Sequence, residues 1–227
     1  MNGSTTTPGA ANANCTSDPY FGKKIAGGYY VSGEASYIQK IGKYYFLFMS
    51  YGGLTSDGGY QMRIFRSENP DGPFVDCNGT SAVYNSYKMN YSSTTADNRG
   101  VLLFGGYQWD AMSGAEIAQG HNSAFVDKQN RSFVVYHTRF SNGGEGHQVR
   151  VHQLFLNDEG WLMAAPFEFD GETITDEAIA SKASIADADI AGDYQFMRHQ
   201  YGQNTAAKAF ETPVNITLNA DGTITGA

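Results

Sequence analysis

The sequence predicts an all-β fold: blades of a β-propeller, incomplete in this chain, followed by the start of a second, small β domain. Three observations carry this expectation. Tyr, Phe and Gly are abundant (15, 14 and 27 of 227 residues) while Pro is scarce, a composition suited to strands joined by tight turns. The chain contains an internal repeat with a period of 87 residues. Each copy reads as four short antiparallel strands, the unit from which propeller blades are made.

The first copy opens with Gly33-Glu34-Ala35-Ser36-Tyr37-Ile38, continues through Lys43-Tyr44-Tyr45-Phe46-Leu47-Phe48-Met49-Ser50-Tyr51 and then Gly59-Tyr60-Gln61-Met62-Arg63-Ile64. The second repeats the plan as Gly120-His121-Asn122-Ser123-Ala124-Phe125, Ser132-Phe133-Val134-Val135-Tyr136-His137-Thr138-Arg139 and Gly146-His147-Gln148-Val149-Arg150-Val151. In both, 26 residues separate the first glycine from the third segment's glycine, and each copy closes on Pro-Phe (Pro73-Phe74, Pro166-Phe167). The second segment of each copy is its most apolar strand. The third alternates, Gln61 and Arg63 against Met62 and Ile64. Lys128-Gln129-Asn130-Arg131 and Asn157-Asp158-Glu159-Gly160 are expected hairpin turns. Residues 79–120 read as a long connection with one apolar stretch, Val101-Leu102-Leu103-Phe104. Residues 1–172 are thus assigned to the propeller blades, 173–188 to a linker and 189–227 to the beginning of the second β domain. Two blades do not close a propeller. A chain that opens in a loop and ends just after a strand reads as part of a longer protein.

A net charge of −8 argues against nucleic acid or an anionic membrane surface as partner, and no apolar run reaches the length of a membrane span. The first residues lack the basic and apolar regions of a signal peptide. Cys15 and Cys77 sit in no metal-binding spacing and are open between a disulfide and two thiols. Sequons at Asn14, Asn78 and Asn215 are compatible with export.

The repeat puts Glu34 and His121 at equivalent positions, each after a glycine that opens an innermost strand, so both are expected to face one pocket. Glu34 stands among neutral and apolar neighbours, a setting that suits a general acid; a solvent-facing glutamate is the alternative. His121 is open between a metal ligand, a substrate ligand and a histidine bonded to backbone. His137, His147 and His152 match no zinc pattern and read as packing or network residues. Arg63 and Arg150 match in the repeat and read as structural. Arg139 ends a strand within reach of a substrate. Trp109 and Trp161 are candidates to stack on sugar, Trp161 more naturally as the cover of a blade edge.

These strings, with Phe48-Met49-Ser50-Tyr51-Gly52-Gly53-Leu54, Gln119-Gly120-His121-Asn122-Ser123 and Glu145-Gly146-His147-Gln148-Val149-Arg150, resemble arabinanases of glycoside hydrolase family 43 over roughly residues 22–172. The tail from Ile190 resembles the start of the small β-barrel domain of two-domain members. The resemblance implies a five-bladed propeller and inverting hydrolysis of α-1,5-L-arabinan, with Glu34 as general acid. It also implies that His121 holds a calcium or sodium ion, largely through water, and that Ser123 and Arg139 bind substrate. Inversion needs a second carboxylate as base, about 6.5–9.5 Å from the acid. In the family that base and a further tuning Asp belong to earlier blades. Asp18-Pro19 imitates the family's Asp-Pro pairs but lies too close to Glu34 to belong to one. The chain is therefore expected to carry the acid without the base, to be inactive alone, and to depend on the missing N-terminal blades. An arabinofuranosidase or β-xylosidase on the same scaffold, and a non-catalytic arabinan-binding fragment, are the competing readings. Location is expected to be secreted or periplasmic, with a signal peptide outside this chain.

Overall fold

The computed structural model describes residues 23–29, 31–87, 98–171, 174, 177, 185–202 and 208–226. Its strands are β1 (Glu34–Ile41), β2 (Tyr44–Tyr51), β3 (Gln61–Ser67), β4 (Val101–Phe104), β5 (Glu116–Val126), β6 (Ser132–Phe140), β7 (Gln148–Leu156), β8 (Leu162–Ala164), β9 (Gly192–Phe196), β10 (Val214–Leu218) and β11 (Ile224–Thr225). They form two four-stranded antiparallel sheets in chain order, β1-β2-β3-β4 and β5-β6-β7-β8, and a three-stranded sheet β11-β10-β9. The helix Asp187–Ile190 is one turn long.

The apolar second segments become β2 and β6 because they pack against each other, and β2 is covered on its other face as well. Phe46 and Phe48 of β2 join Met62, Ile64 and Phe104 against Val134, Tyr136, Leu154, Trp161 and Leu162 of the second sheet. The alternate residues Leu47, Met49 and Tyr51 pack with Phe65, Phe74 and Ala82 on the other side. Each fully buried aromatic or aliphatic side chain contributes about 1.5–3 kcal/mol, so the first of these clusters holds the two sheets together. The innermost strands β1 and β5 lie against each other.

Each expected hairpin turn is present. Asp127 N–H bonds the Arg131 carbonyl at 2.9 Å around Asn130, which takes φ +63°. Gly160 N–H bonds the Asn157 carbonyl at 2.8 Å. The turn between β10 and β11 closes in the same way, Gly222 N–H on the Asn219 carbonyl at 2.9 Å.

Two expectations are corrected. The fourth strand of the first copy is not beside Pro73-Phe74. There Val75 makes only isolated bridges, to Arg66 and Ser81, and β3 finds its partner in Val101–Phe104, inside the stretch read as a connection. A separate strand could be recruited because residues 98–100, just before it, lie over β3 and bond Arg63. The same segment overturns the alternation read in β3. Gln61 and Arg63 are 4% and 1% exposed, since the guanidinium is capped by the carbonyls of Asn98 and Gly100 (both 2.9 Å) and bonds that of Tyr201. Arg63 is structural, as expected. Its repeat partner Arg150 pairs with Glu168 at 3.2 Å near the surface.

Cys77 is exposed. Cys15, Asp18, Pro19 and most of the linker lie outside the described residues.

Candidate active site

Three positions of the repeat meet at one rim. Glu34 and His121 are equivalent, as are Ser50 and His137, and Tyr60 and His147. Both inner strands are distorted where they reach that rim. β1 slips register between Glu34 and Tyr37, with Ala35 at φ +53°. β5 begins at Glu116, before Gly120, and slips twice, with Ala118 at +54° and His121 at +51°. His121 therefore sits in a mid-strand irregularity rather than at a strand start. Such bulges re-aim a side chain out of the ladder, and here they turn Glu34 and His121 outward as exposed groups.

The Tyr60 hydroxyl donates to Glu34 Oε1 at 2.6 Å. Burial, then this bond to the carboxylate, pushes the Tyr60 phenol well above its usual value, so it stays a proton donor. Its ring stacks on His137 (centroids 5.6 Å, 8° between planes). His137 in turn lies 4.5 Å from His147 and 6.0 Å from His121. Burial, followed by the charges of His147, His121 and Arg139, pushes His137 down to about 4, against the pull of Glu34. It is a neutral imidazole at neutral pH, and its Nδ1 is buried without a hydrogen-bond partner. Ser50 links the sheets by accepting the His121 N–H at 2.8 Å. Gly120 permits this closeness: a Cβ there would meet the Tyr60 ring at 2.3 Å and Ser50 Oγ at 2.8 Å.

Ser123 is exposed on β5, two residues beyond His121. Arg139 is 5% exposed, and its guanidinium is committed to the Leu54 carbonyl (Nε, 2.8 Å) and Glu145 (3.1 Å). Glu145 also accepts from the Ser56 hydroxyl at 2.6 Å and the Ser56 N–H at 3.1 Å. Arg139 thus ties the β2–β3 loop to the β6–β7 loop. His152 is buried, with Nδ1 on the Ala165 carbonyl at 2.8 Å, the network role expected of it, whereas His137 and His147 belong to the rim. Trp161 is buried beneath the Arg66 guanidinium, and Trp109 donates to the Pro166 carbonyl beside Phe167. Tyr60 and Ser50 were not anticipated. The signal was available: Tyr60 and His147 each follow the matched glycines Gly59 and Gly146.

Among the described residues no group of three or more His, Cys, Asp or Glu could close around a metal ion. His121 is exposed, its ring 6.0 Å from that of His137, so the residues present could hold an ion only with water completing its shell.

The family model described as glycosyl hydrolases family 43 matches residues 12–162, and that of a C-terminal lipocalin-like domain matches residues 166–227. An extracellular endo-α-(1→5)-L-arabinanase of Thermotoga petrophila is 39% identical over 216 residues, which cover 91% of this chain and 43% of the relative. Extracellular endo-α-(1→5)-L-arabinanase 2 of Bacillus subtilis is 37% identical over 214 residues, with the same coverage. The crystal structure of a family 43 glycoside hydrolase from Bacillus licheniformis matches with a TM-score of 0.78 at 36% identity, over 91% of this chain and 45% of that one. That of the Thermotoga petrophila arabinanase matches with 0.73 at 39%, over 91% and 44%. The chain spans a little under half the length of these relatives. With the family model extending through both four-stranded sheets and the rim they share, the chain belongs to glycosyl hydrolase family 43.

Proposed function

We propose that this chain supplies the general-acid side of an inverting α-1,5-L-arabinanase site on a five-bladed propeller. Two blades come from residues 1–172, and the β9–β11 sheet begins a small barrel domain at 189–227 after a linker at 173–188. The observation that carries the reading is Glu34, turned out at a bulged strand start and held by Tyr60, in a chain 37–39% identical to endo-arabinanases. Phe125, stacked on Phe133 on the second sheet's far side, is 44% exposed, as expected of a face that another blade covers.

In this reading the Glu34 carboxyl gives its proton to the glycosidic oxygen as the bond to the anomeric carbon breaks. A water, deprotonated by a carboxylate outside this chain, attacks the opposite face, and the sugar leaves with inverted configuration. Tyr60 fixes the rotamer of Glu34. Ser123 is the substrate contact of the two residues expected to bind sugar. Arg139 serves the rim by fixing the β2–β3 loop. His121 would hold a calcium or sodium ion through water, and such an ion supplies positive charge and an ordered water shell at the rim. Secretion or a periplasmic location agrees with relatives named as extracellular. No helix among the described residues is long and apolar enough to cross a membrane.

The test joins this chain to the upstream blades of the Thermotoga petrophila relative and assays linear arabinan. The chimera should release short oligosaccharides, and Glu34→Gln should lower the rate by about 10²–10⁴. The 227-residue chain alone should be inactive. Arabinose as sole product would favour the exo-acting alternative. A folded chimera without activity, or one indifferent to Glu34→Gln, would sink the proposal.

A further inference from the structure

The two loops that deliver Tyr60 and His147 to the rim are repeat equivalents, β2–β3 and β6–β7. A third part of the chain holds both. Lys208 donates from its backbone N–H to the Ser56 carbonyl (3.2 Å) and from Nζ to the Ser141 carbonyl (2.7 Å). It does so with φ +52°, a conformation non-glycine residues adopt only when the surroundings impose it. The stretch it belongs to, 208–211, is itself anchored. Glu211 N–H bonds the Gly106 carbonyl and its own carbonyl accepts the Gln108 N–H, both at 2.9 Å, in a parallel bridge with Tyr107. The approach is close enough that a Cβ on Gly106 would meet the Ala209 carbonyl oxygen at 2.3 Å. A companion stretch, 198–202, gives the Tyr201 carbonyl to buried Arg63. Together they wall a cavity of about 50 Å³ whose opposite wall is Tyr60 and Gln61.

These stretches belong to the residues matched by the C-terminal domain model, yet their contacts go to the back of the acid site. We infer that 198–202 and 208–211 are a positioning element of that site, with Lys208 the residue that locks its two delivering loops. The inference rests on reading Glu34 as the acid. The physical argument is one of tolerance. A positioning phenol must be held within about 0.5 Å, and surface loops left to themselves do not achieve this. The loops' mutual link, Ser56 to Glu145, is exposed. Arg139 ties them from within one of the two sheets; Lys208 adds a link from outside both sheets, fixed to a paired backbone.

Two variants test this. Lys208→Met removes the Nζ bond and leaves the backbone one. Gly106→Ala inserts a methyl that forces the 208–211 stretch away without altering a residue of the rim. In the 227-residue chain, amide hydrogen exchange at 53–58 and 142–147 should rise about tenfold in Lys208→Met and further in Gly106→Ala, with β2 and β6 unchanged. In the chimera, both should lower kcat on arabinan roughly three- to tenfold while KM moves less than twofold, and Lys208→Arg should restore most of it. Unchanged loop exchange in Lys208→Met, a rise spread equally through β2 and β6, or an effect confined to KM would each overturn the inference. The exchange experiment uses no substrate. A chimera that fails on arabinan while the loops still loosen would reject the acid reading and leave the clasp standing.

Discussion

The two four-stranded sheets share a backbone plan and place different chemistry on it. At matched positions the first sheet delivers a carboxyl, a hydroxyl and a phenol (Glu34, Ser50, Tyr60), and the second delivers three imidazoles (His121, His137, His147). All six meet at one rim because the inner strands β1 and β5 lie side by side and both bulge there. The difference extends inward. The first sheet buries a cation, Arg63, against backbone carbonyls. The second buries a carboxylate, Glu116, bonded by the hydroxyls of Tyr107 (3.2 Å) and Tyr136. Repetition of a four-stranded sheet fixes where side chains arrive; it leaves free which groups arrive, and a rim with divided chemistry results.

The largest expected effect that sharpens this contrast is on stability. Arg63→Met strands buried carbonyls of Asn98 and Gly100 and should cost about 3 kcal/mol in urea unfolding, whereas the equivalent Arg150→Met, at a solvent-screened pair, should cost less than about 1. Equal costs would mean that residues 98–100 do not distinguish the sheets. Next comes Tyr60→Phe in the chimera, which removes the bond to Glu34 and should lower kcat about tenfold with little loss of stability. An unaltered kcat would remove Tyr60 from the site. The smallest effect is a pH slope. Burial holds the Glu116 carboxyl above its usual range, against the hydrogen bonds of Tyr136 and Tyr107 and the charges of His152 and Arg150. A folded value raised above the unfolded one, about 4.3, means the protonated form favours the fold. That stabilisation is complete below about pH 4.3 and lost as pH rises through the folded value. Glu116→Gln should therefore gain on the native chain between pH 4 and 8 in paired unfolding curves, and a loss over that range would refute the sign.

Much of this was legible in the sequence because the informative features are local or periodic. The runs Tyr44–Tyr51 and Ser132–Phe140 announce buried strands, and the fixed spacing that equates Glu34 with His121 also equates Tyr60 with His147. What was not legible depends on distant segments. β4 pairs with β3 across a long excursion, so nothing near Pro73-Phe74 marks the true fourth strand. The burial of Arg63 depends on Tyr201, far along the chain. Arg139 ends its strand as expected, but its engagement with Leu54 and Glu145 joins two loops whose meeting no local pattern encodes.

The most direct test of Glu34 as the acid compares leaving groups in the chimera. Protonation matters for a sugar alkoxide and hardly at all for a nitrophenolate, which departs unassisted. Glu34→Gln should therefore lose at least about a hundredfold on linear arabinan but less than about tenfold on a nitrophenyl arabino-oligosaccharide. Equal losses on both substrates would contradict the account, because Glu34 would then act on something other than the departing oxygen.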